Sequence, residues 1–271
     1  MKFSKWLTGE LVGTFLLVFF GCGAVASAVT SGALVGLFEV AIVWGLGITL
    51  AICITASLSG AHLNPAVTIA MAVFRGFPKK LVLPYIIVQM SGAFLASAVL
   101  YLIFSEPLKS FEMENQIIRS APGSEASAKV FGEYFPNPGK QGLTPESRKI
   151  MTQGPAFAAE VIGTAILLFV IFCVTDPKNT AMPPLLIAPA IGLTVTLLIC
   201  LLGPLTMACF NPARDLAPRL FSSLVGWGGI PFSANGSGWL TVYILAPILG
   251  GLLGGLIYTK MLKPGYPDSS S

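Results

Sequence analysis

The sequence predicts an all-α membrane protein, six transmembrane helices plus two re-entrant half-helices in an inverted 3+3 repeat. Three observations carry this expectation. The chain of 271 residues is 54% hydrophobic and 10% charged, with a mean hydropathy of +0.80, whereas a soluble domain has roughly 25% charged residues. The triplet Asn-Pro-Ala occurs twice, at Asn64-Pro65-Ala66 and Asn211-Pro212-Ala213, each time inside a long apolar region. The two halves also share residues at constant spacing, which is the mark of an internal repeat.

A spanning helix needs ~20 mostly apolar residues. Six runs qualify: Trp6–Val29, Gly36–Ser57, Leu81–Phe104, Pro155–Thr175, Pro184–Leu202 and Trp239–Leu262. Lys2 and Lys5 ahead of the first run resemble the start of a secretory leader. However, "GELVGTFLLVFFG" at Gly9–Gly21 returns mid-chain as "AEVIGTAILLFVIF" at Ala159–Phe172, so the first run reads as a structural helix. Basic residues gather on cytoplasmic loops. With six alternating spans, Lys2, Lys5, Arg75, Lys79, Lys80, Lys178, Lys260 and Lys263 fall on one face. Both termini are therefore expected in the cytoplasm, with the chain multi-pass in the plasma or inner membrane. The long loop on the other face, Ser105–Gln153, is mixed in sign (Lys129 and Glu133 among others) and too polar to span. The net charge of +4 follows from this asymmetry, and no nucleic-acid partner is expected.

The repeat pairs Glu10 with Glu160, Gly45 with Gly192, Thr49 with Thr196, Asn64 with Asn211, and Tyr85 and Gly92 with Tyr243 and Gly250. Each half holds three spans, an odd number, so the second half starts on the opposite side of the membrane. Inverted repeats place functional sites at the midplane, where broken helices meet. Asparagine is favoured at the N-cap and proline at the first helical position, so each triplet reads as a helix start. The first short helix runs about ten residues from Pro65, closed by Gly76 and Pro78; the second runs from Pro212 to near Gly226. At ~1.5 Å per residue such a helix crosses half of a ~30 Å core. The preceding "LSGAHL" and "PLTMACF" become non-helical backbone at membrane depth, tolerated only when buried in protein or lining a wet cavity. The breaks are read as the wall of a pore.

Glu10 and Glu160 are functional candidates by default at that depth. They have two readings: proton relays of a carrier, or acceptors for the amides of a re-entrant loop, one per loop, and the repeat favours the second. The five cysteines lie in apolar segments without metal-ligand spacing and read as small buried side chains. No metal site, no cofactor and no catalytic constellation is expected. Asn235-Gly236-Ser237 is a formal glycosylation sequon, too common a pattern to carry weight.

Taken together, "SGAHLNPAVT" and "GPLTMACFNPARDLAPRLF", separated by three spans of a six-span repeat, resemble the aquaporin (major intrinsic protein) superfamily. "FPNPGK" and Asp215 directly after Arg214 are similar to its glycerol-facilitator, or aquaglyceroporin, branch. The resemblance implies that Asn64 and Asn211 donate hydrogen bonds to solute at the pore centre. It implies a ladder of acceptor carbonyls from Gly60, Ala61, His62 and Leu63 and from Met207, Ala208 and Cys209. It also implies an outer constriction formed by Trp44, Ile199, Ala208 and Arg214, and a homotetramer with one pore per subunit. For Trp44, a lipid-facing indole stands beside the pore reading; for Arg214, a structural salt bridge does. His62 reads equally as an imidazole packed to hold its loop. Asp215 and Arg219, four apart, fit a structural ion pair. Glycerol facilitators have a second aromatic where this chain has Ala208, and a glycine where it has Ile199. Trp-Ile-Ala-Arg looks like the filter of plant nodulin-type channels instead.

The expected function is a passive channel for glycerol and other small uncharged solutes, with water, excluding protons and ions. The alternatives are a channel preferring water or metalloid acids, and a secondary active transporter. The expected organisation is one channel domain over residues 1–265: a first repeat over 5–104, an outer loop over 105–153 and a second repeat over 154–263. A short disordered tail is expected over 266–271. The small residues of "SGAFLASA" (Ser91–Ala98) and "GGLLGGL" (Gly250–Leu256) fit either a subunit interface or packing within one subunit.

Overall fold

The computed structural model describes residues 4–34 and 36–267. Lys2 and most of the expected tail (268–271) lie outside them. Six apolar helices of spanning length are present: α1 (Lys5–Ser31), α2 (Leu37–Ser59), α4 (Lys79–Glu114), α7 (Gln153–Val174), α8 (Pro184–Thr206) and a terminal span over Gly238–Gly265. Between them lie two short helices that start at the triplets, α3 (Pro65–Phe74) and α9 (Pro212–Ser222). The long loop carries two further turns of helix, α5 (Glu125–Ala128) and α6 (Pro145–Ile150). The fold class expected from the sequence is the one observed.

The packing repeats between halves. α1 lies between α2 and α4, and α7 lies between α8 and the terminal span. The halves join where α2 packs on α8, and each short helix packs on the last span of the other half, α3 on the terminal span and α9 on α4. Glycine sets how near these helices come. A Cβ on Gly45 would lie 2.6 Å from the carbonyl oxygen of Gly192, and one on Gly192 would lie 2.3 Å from that of Gly45. Both distances are inside van der Waals contact, so only hydrogen fits at either position. Hydroxyls bolt the same crossing, Thr49 Oγ1 donating to Ala188 O at 3.4 Å and Thr196 Oγ1 to Ala41 O at 3.2 Å.

One sequence alternative is decided by the structure and two expectations need correction. Both small-residue stripes serve packing within the subunit: Gly92, Ala93, Ala96, Ser97, Gly250, Gly251, Gly254 and Gly255 are all buried. A Cβ on Gly92 or Gly250 would meet the carbonyl oxygen of Leu11 or Val161 at 2.4 Å. α4 runs ten residues past Phe104, to Glu114, because Leu108 and Phe111 in its last turns are buried. The cysteines are not uniformly interior, since Cys22 and Cys209 are buried while Cys53 faces outward. The structure adds a finding on the long loop, whose path the sequence left open. Residues 124–128, 130–131 and 133–135 are buried, so this segment folds back into the molecule rather than skirting it. Its aromatic residues explain the burial: Phe131 packs against Tyr101, Phe221 and Trp227, and the Trp227 indole donates to Ser127 Oγ at 3.0 Å.

Candidate functional site: a necked pore between two half-helices

The two re-entrant loops are built alike. Asn64 is the N-cap of α3 and accepts from Ala66 N at 2.8 Å; Asn211 is the N-cap of α9 and accepts from Ala213 N at 3.0 Å and Arg214 N at 3.3 Å. Proline follows each cap and needs no partner for a missing N–H. The caps then reach across the repeat. Asn64 Nδ2 donates to Phe210 O at 2.8 Å, and Asn211 Nδ2 donates to Leu63 O at 2.9 Å. The helix tips are thereby tied one to the other, and each amide keeps a second N–H.

The loops ahead of the caps hold left-handed backbone at matching non-glycine positions, Ala61 and Leu63 in one, Met207, Ala208 and Phe210 in the other. Such conformations cost ~1–3 kcal/mol each and persist only when their surroundings enforce them. Glu10 and Glu160 provide that enforcement. Glu10 accepts from His62 N at 2.9 Å, Leu63 N at 2.8 Å and Gln89 Nε2 at 2.7 Å. Glu160 accepts from Cys209 N at 3.0 Å, Phe210 N at 2.9 Å and Thr206 Oγ1 at 2.6 Å. Tyrosines brace the loop starts, Tyr85 to Ser59 O at 3.0 Å and Tyr243 to Thr206 O at 3.2 Å. The His62 ring sits 3.2 Å from Thr68 Oγ1 and against Phe77 and Tyr85.

Two adjoining cavities run beside these loops. The central one, of about 160 Å³, is lined by Gly60, Ala61, His62, Leu63, Asn64, Ala208, Cys209, Phe210 and Asn211 together with apolar side chains such as Leu17, Ile48, Leu167, Ile191 and Val195. The second, of about 110 Å³, opens beneath the long loop and is lined by Lys129, Asn137, Gly203 and Met207 among others. Trp44, Ile199 and Arg214 line both. They stand where the two cavities adjoin, here called the neck, and Ala208 lines the central side alone. Trp44 is therefore not a lipid-facing indole. It is 6% exposed, and the Arg214 guanidinium lies 4.5 Å from its ring centroid. Met207 lies in the outer mouth rather than the central cavity. Leu63 and Phe210 turn their carbonyls to the opposing asparagine. The Phe210 ring packs on α7, where a Cβ on Gly163 would clash with it at 2.2 Å, so it does not supply an aromatic wall at the neck.

The sequence reading gave Glu133 no role beyond loop charge, yet it is fully buried and forms an ion pair with Arg214. Arg214 thus makes a salt bridge while also lining both cavities, and its Nη1 is buried without a hydrogen-bond partner. Asp215 and Arg219 deliver Glu133 to this place. Asp215 Oδ1 accepts from Glu133 N at 2.7 Å, and Arg219 Nη2 donates to Glu133 O. Arg219 in turn binds Asp215 through Nε at 2.9 Å and Nη2 at 2.7 Å. The signal in the sequence was an acid inside the aromatic run "VFGEYF" of an otherwise polar loop. Asn235 exchanges two hydrogen bonds with the backbone of Phe135, at 3.2 and 2.6 Å, so the sequon's amide is already engaged.

An inverted pair of three-helix units, with two capped half-helices meeting tip to tip beside a necked passage, defines a channel-type membrane protein. The model for the major intrinsic protein family matches residues 1–258, and the chain belongs to that family. It is 41% identical over 261 residues to the glycerol uptake facilitator protein of Haemophilus influenzae, covering 96% of this chain and 94% of that one. It is 39% identical over 260 residues to the Escherichia coli glycerol uptake facilitator protein, covering 95% and 88%. Identity to the propanediol uptake facilitator of Salmonella typhimurium is also 39%, covering 95% and 94%. Among solved structures, the aquaglyceroporin of Plasmodium falciparum matches with a TM-score of 0.80 at 27% identity, covering 96% of this chain and 97% of that one.

Proposed function

We propose that the protein is a passive channel for glycerol and other small uncharged solutes, with water, that excludes protons and ions. The observation that carries this reading is the central cavity, lined by residues of both re-entrant loops, Asn64 and Asn211 among them, beside aliphatic side chains. A solute with hydroxyls along one edge and carbon along the other satisfies both kinds of lining at once. The named relatives, facilitators of glycerol and propanediol uptake, support the same solute class.

In this reading Asn64 and Asn211 donate their free N–H to a passing hydroxyl, and the carbonyls of Gly60, Ala61, His62 and Cys209 accept from it. The facing N-termini of α3 and α9 present partial positive charge, which opposes cations and protons. Trp44, Ile199, Ala208 and Arg214 form the filter. Glu133 holds Arg214 against the wall, and Asp215 acts through Glu133 and Arg219 rather than on solute. Glu10 and Glu160 support the loops. Both termini are assigned to the cytoplasm from the basic face, which puts the long loop outside the cell membrane. The functional unit is a homotetramer with one pore in each single-domain subunit, the repeats spanning 5–104 and 154–263. The test is stopped-flow light scattering of proteoliposomes. Glycerol is expected to re-equilibrate far faster than in empty vesicles while sucrose stays excluded; glycerol traces equal to empty vesicles would overturn the reading.

A further inference from the structure

The arginine at the neck stands opposite an acid. Arg214 and Glu133 are an ion pair, and the second pair close by, Arg219 with Asp215 at 2.7 Å, also sums to zero. A paired cation in a buried site projects a weaker field than a lone one, because the partner's potential cancels most of it beyond a few ångströms. An arginine paired in this way projects less charge into the passage than a lone one would. The mouth cavity outside the neck is different. Its lining contains two charged residues, Arg214 and Lys129, and only the second lacks an acidic partner among the salt bridges of the described residues. The Lys129 ammonium donates to Pro138 O at 2.6 Å, a neutral carbonyl that orients it without cancelling its charge. α5 and the loop residue Pro138 hold the lysine at the side of the mouth, and the groups lining the cavity from α1, α2 and α8 (Val25, Ala28, Val29, Val40, Ile199 and Gly203) are uncharged.

We propose that Lys129 is a specificity-determining residue, the unpaired cation that makes the mouth above the neck repel small cationic solutes and concentrate small anions, one step before the filter is reached. Charge discrimination thus begins in the mouth, ahead of the paired Arg214. The device is adjustable. Burial among the loop residues lowers the Lys129 ammonium from the ordinary lysine range to about 8, so the charge is present at pH 6.5 and gone at pH 9.5. The titratable groups near it are Arg214 and its partner Glu133. Arg214 lines the same mouth and as an arginine stays protonated through this window. Burial pushes the Glu133 carboxyl well above its ordinary range, and its titration would persist in Lys129→Met. This inference rests on the channel reading for its physiological meaning, but the lysine's field can be measured without any flux.

The experiment places a cysteine at Val29, which lines the mouth, in the full-length protein in liposomes. It compares alkylation by anionic iodoacetate and neutral iodoacetamide, read at residue 29 by peptide mass spectrometry. The ratio of the two rates, normalised to a free thiol, reports the local potential and cancels any change in the thiol's own ionisation. With Lys129 present, the ratio at pH 6.5 is expected to exceed that of Lys129→Met about threefold to tenfold, the range for one unscreened charge several ångströms away. It should fall to the Lys129→Met value by pH 9.5. Lys129→Arg should keep the high ratio at both pH values, which also separates charge from altered packing. Equal ratios for Lys129 and Lys129→Met at pH 6.5, or a pH dependence that persists in Lys129→Met, would overturn the proposal. Glycerol flux measured on the same vesicles distinguishes this outcome from failure of the channel reading, since a non-conducting protein with a lysine-dependent ratio sinks the second and keeps the first.

Discussion

At the residue scale, the proposed filter differs at two positions from the one the family resemblance implies: Ala208 stands where a second aromatic is expected and Ile199 where a glycine is, so one side chain is smaller and the other larger. Both are nearly inaccessible, at 5% exposure, and both line the central cavity, so a change at either alters the bore directly. Ala208→Phe restores a ring opposite Ile199 and Trp44 and should narrow the neck without touching the asparagines. The expected outcome is an approximately tenfold loss of permeability to a four-carbon polyol such as erythritol, equivalent to ~1.4 kcal/mol of added barrier, with a much smaller loss for water. Stopped-flow traces for erythritol and water on the same vesicles check this. If both fall by the same factor, Ala208 does not stand at the neck and the filter assignment is wrong.

At the element scale, glycines let several helices come within backbone contact. Gly45 and Gly192 let α2 and α8 touch at the join between the halves, and Thr49 and Thr196 add hydrogen bonds there. Gly192→Ala forces a methyl to within 2.2 Å of Thr49 Oγ1 and 2.3 Å of Gly45 O. One of these contacts is backbone, which cannot swing away. The overpacking should cost ~1–3 kcal/mol and lower the thermal midpoint of the detergent-solubilised protein by several degrees. Gly154→Ala makes a fair control, because a methyl there meets nothing within 4 Å and should leave the midpoint unchanged. A midpoint equally unmoved in Gly192→Ala would show that the two helices do not cross this closely. Most elements were legible in the sequence because apolar runs of spanning length, capping asparagines and first-turn prolines are local signals. The end of the second short helix was legible too, since a π-turn carries it past Ser222 until non-helical backbone at Val225 and Gly226 breaks it. The extension of α4 was hidden. "SEPLKSFEME" has no apolar run, and what keeps it helical is tertiary burial of Leu108 and Phe111, with Glu112 bonded to Arg119 Nε at 2.9 Å.

At the scale of the whole molecule, the repeat makes the halves equivalent, and the ties between them decide how the protein moves solute. The long-range partners of the pore were the part the sequence withheld: nothing local relates Glu133 to Arg214 or Lys129 to the mouth, because the loop that carries them is placed by aromatic contacts and by Asp215 and Arg219. Once placed, the molecule has two means of transport to choose from. Alternating access requires one half to rock against the other around a midplane site. Here that motion would break the reciprocal bonds of Asn64 with Phe210 O and Asn211 with Leu63 O and the threonine bonds between α2 and α8, and would separate Gly45 from Gly192. Proton coupling would further require Glu10 or Glu160 to release its loop amides, which leaves buried N–H groups unsatisfied at ~1–3 kcal/mol apiece. A fixed pore needs none of this. Initial glycerol rates should therefore rise linearly with the imposed gradient, without saturating in the range where carriers do. They should also be unchanged when a proton or sodium gradient is set in either direction across the vesicle membrane. A rate that plateaus with glycerol, or that follows the sign of either ion gradient, would mean that the halves do rock and that the glutamates titrate in the cycle.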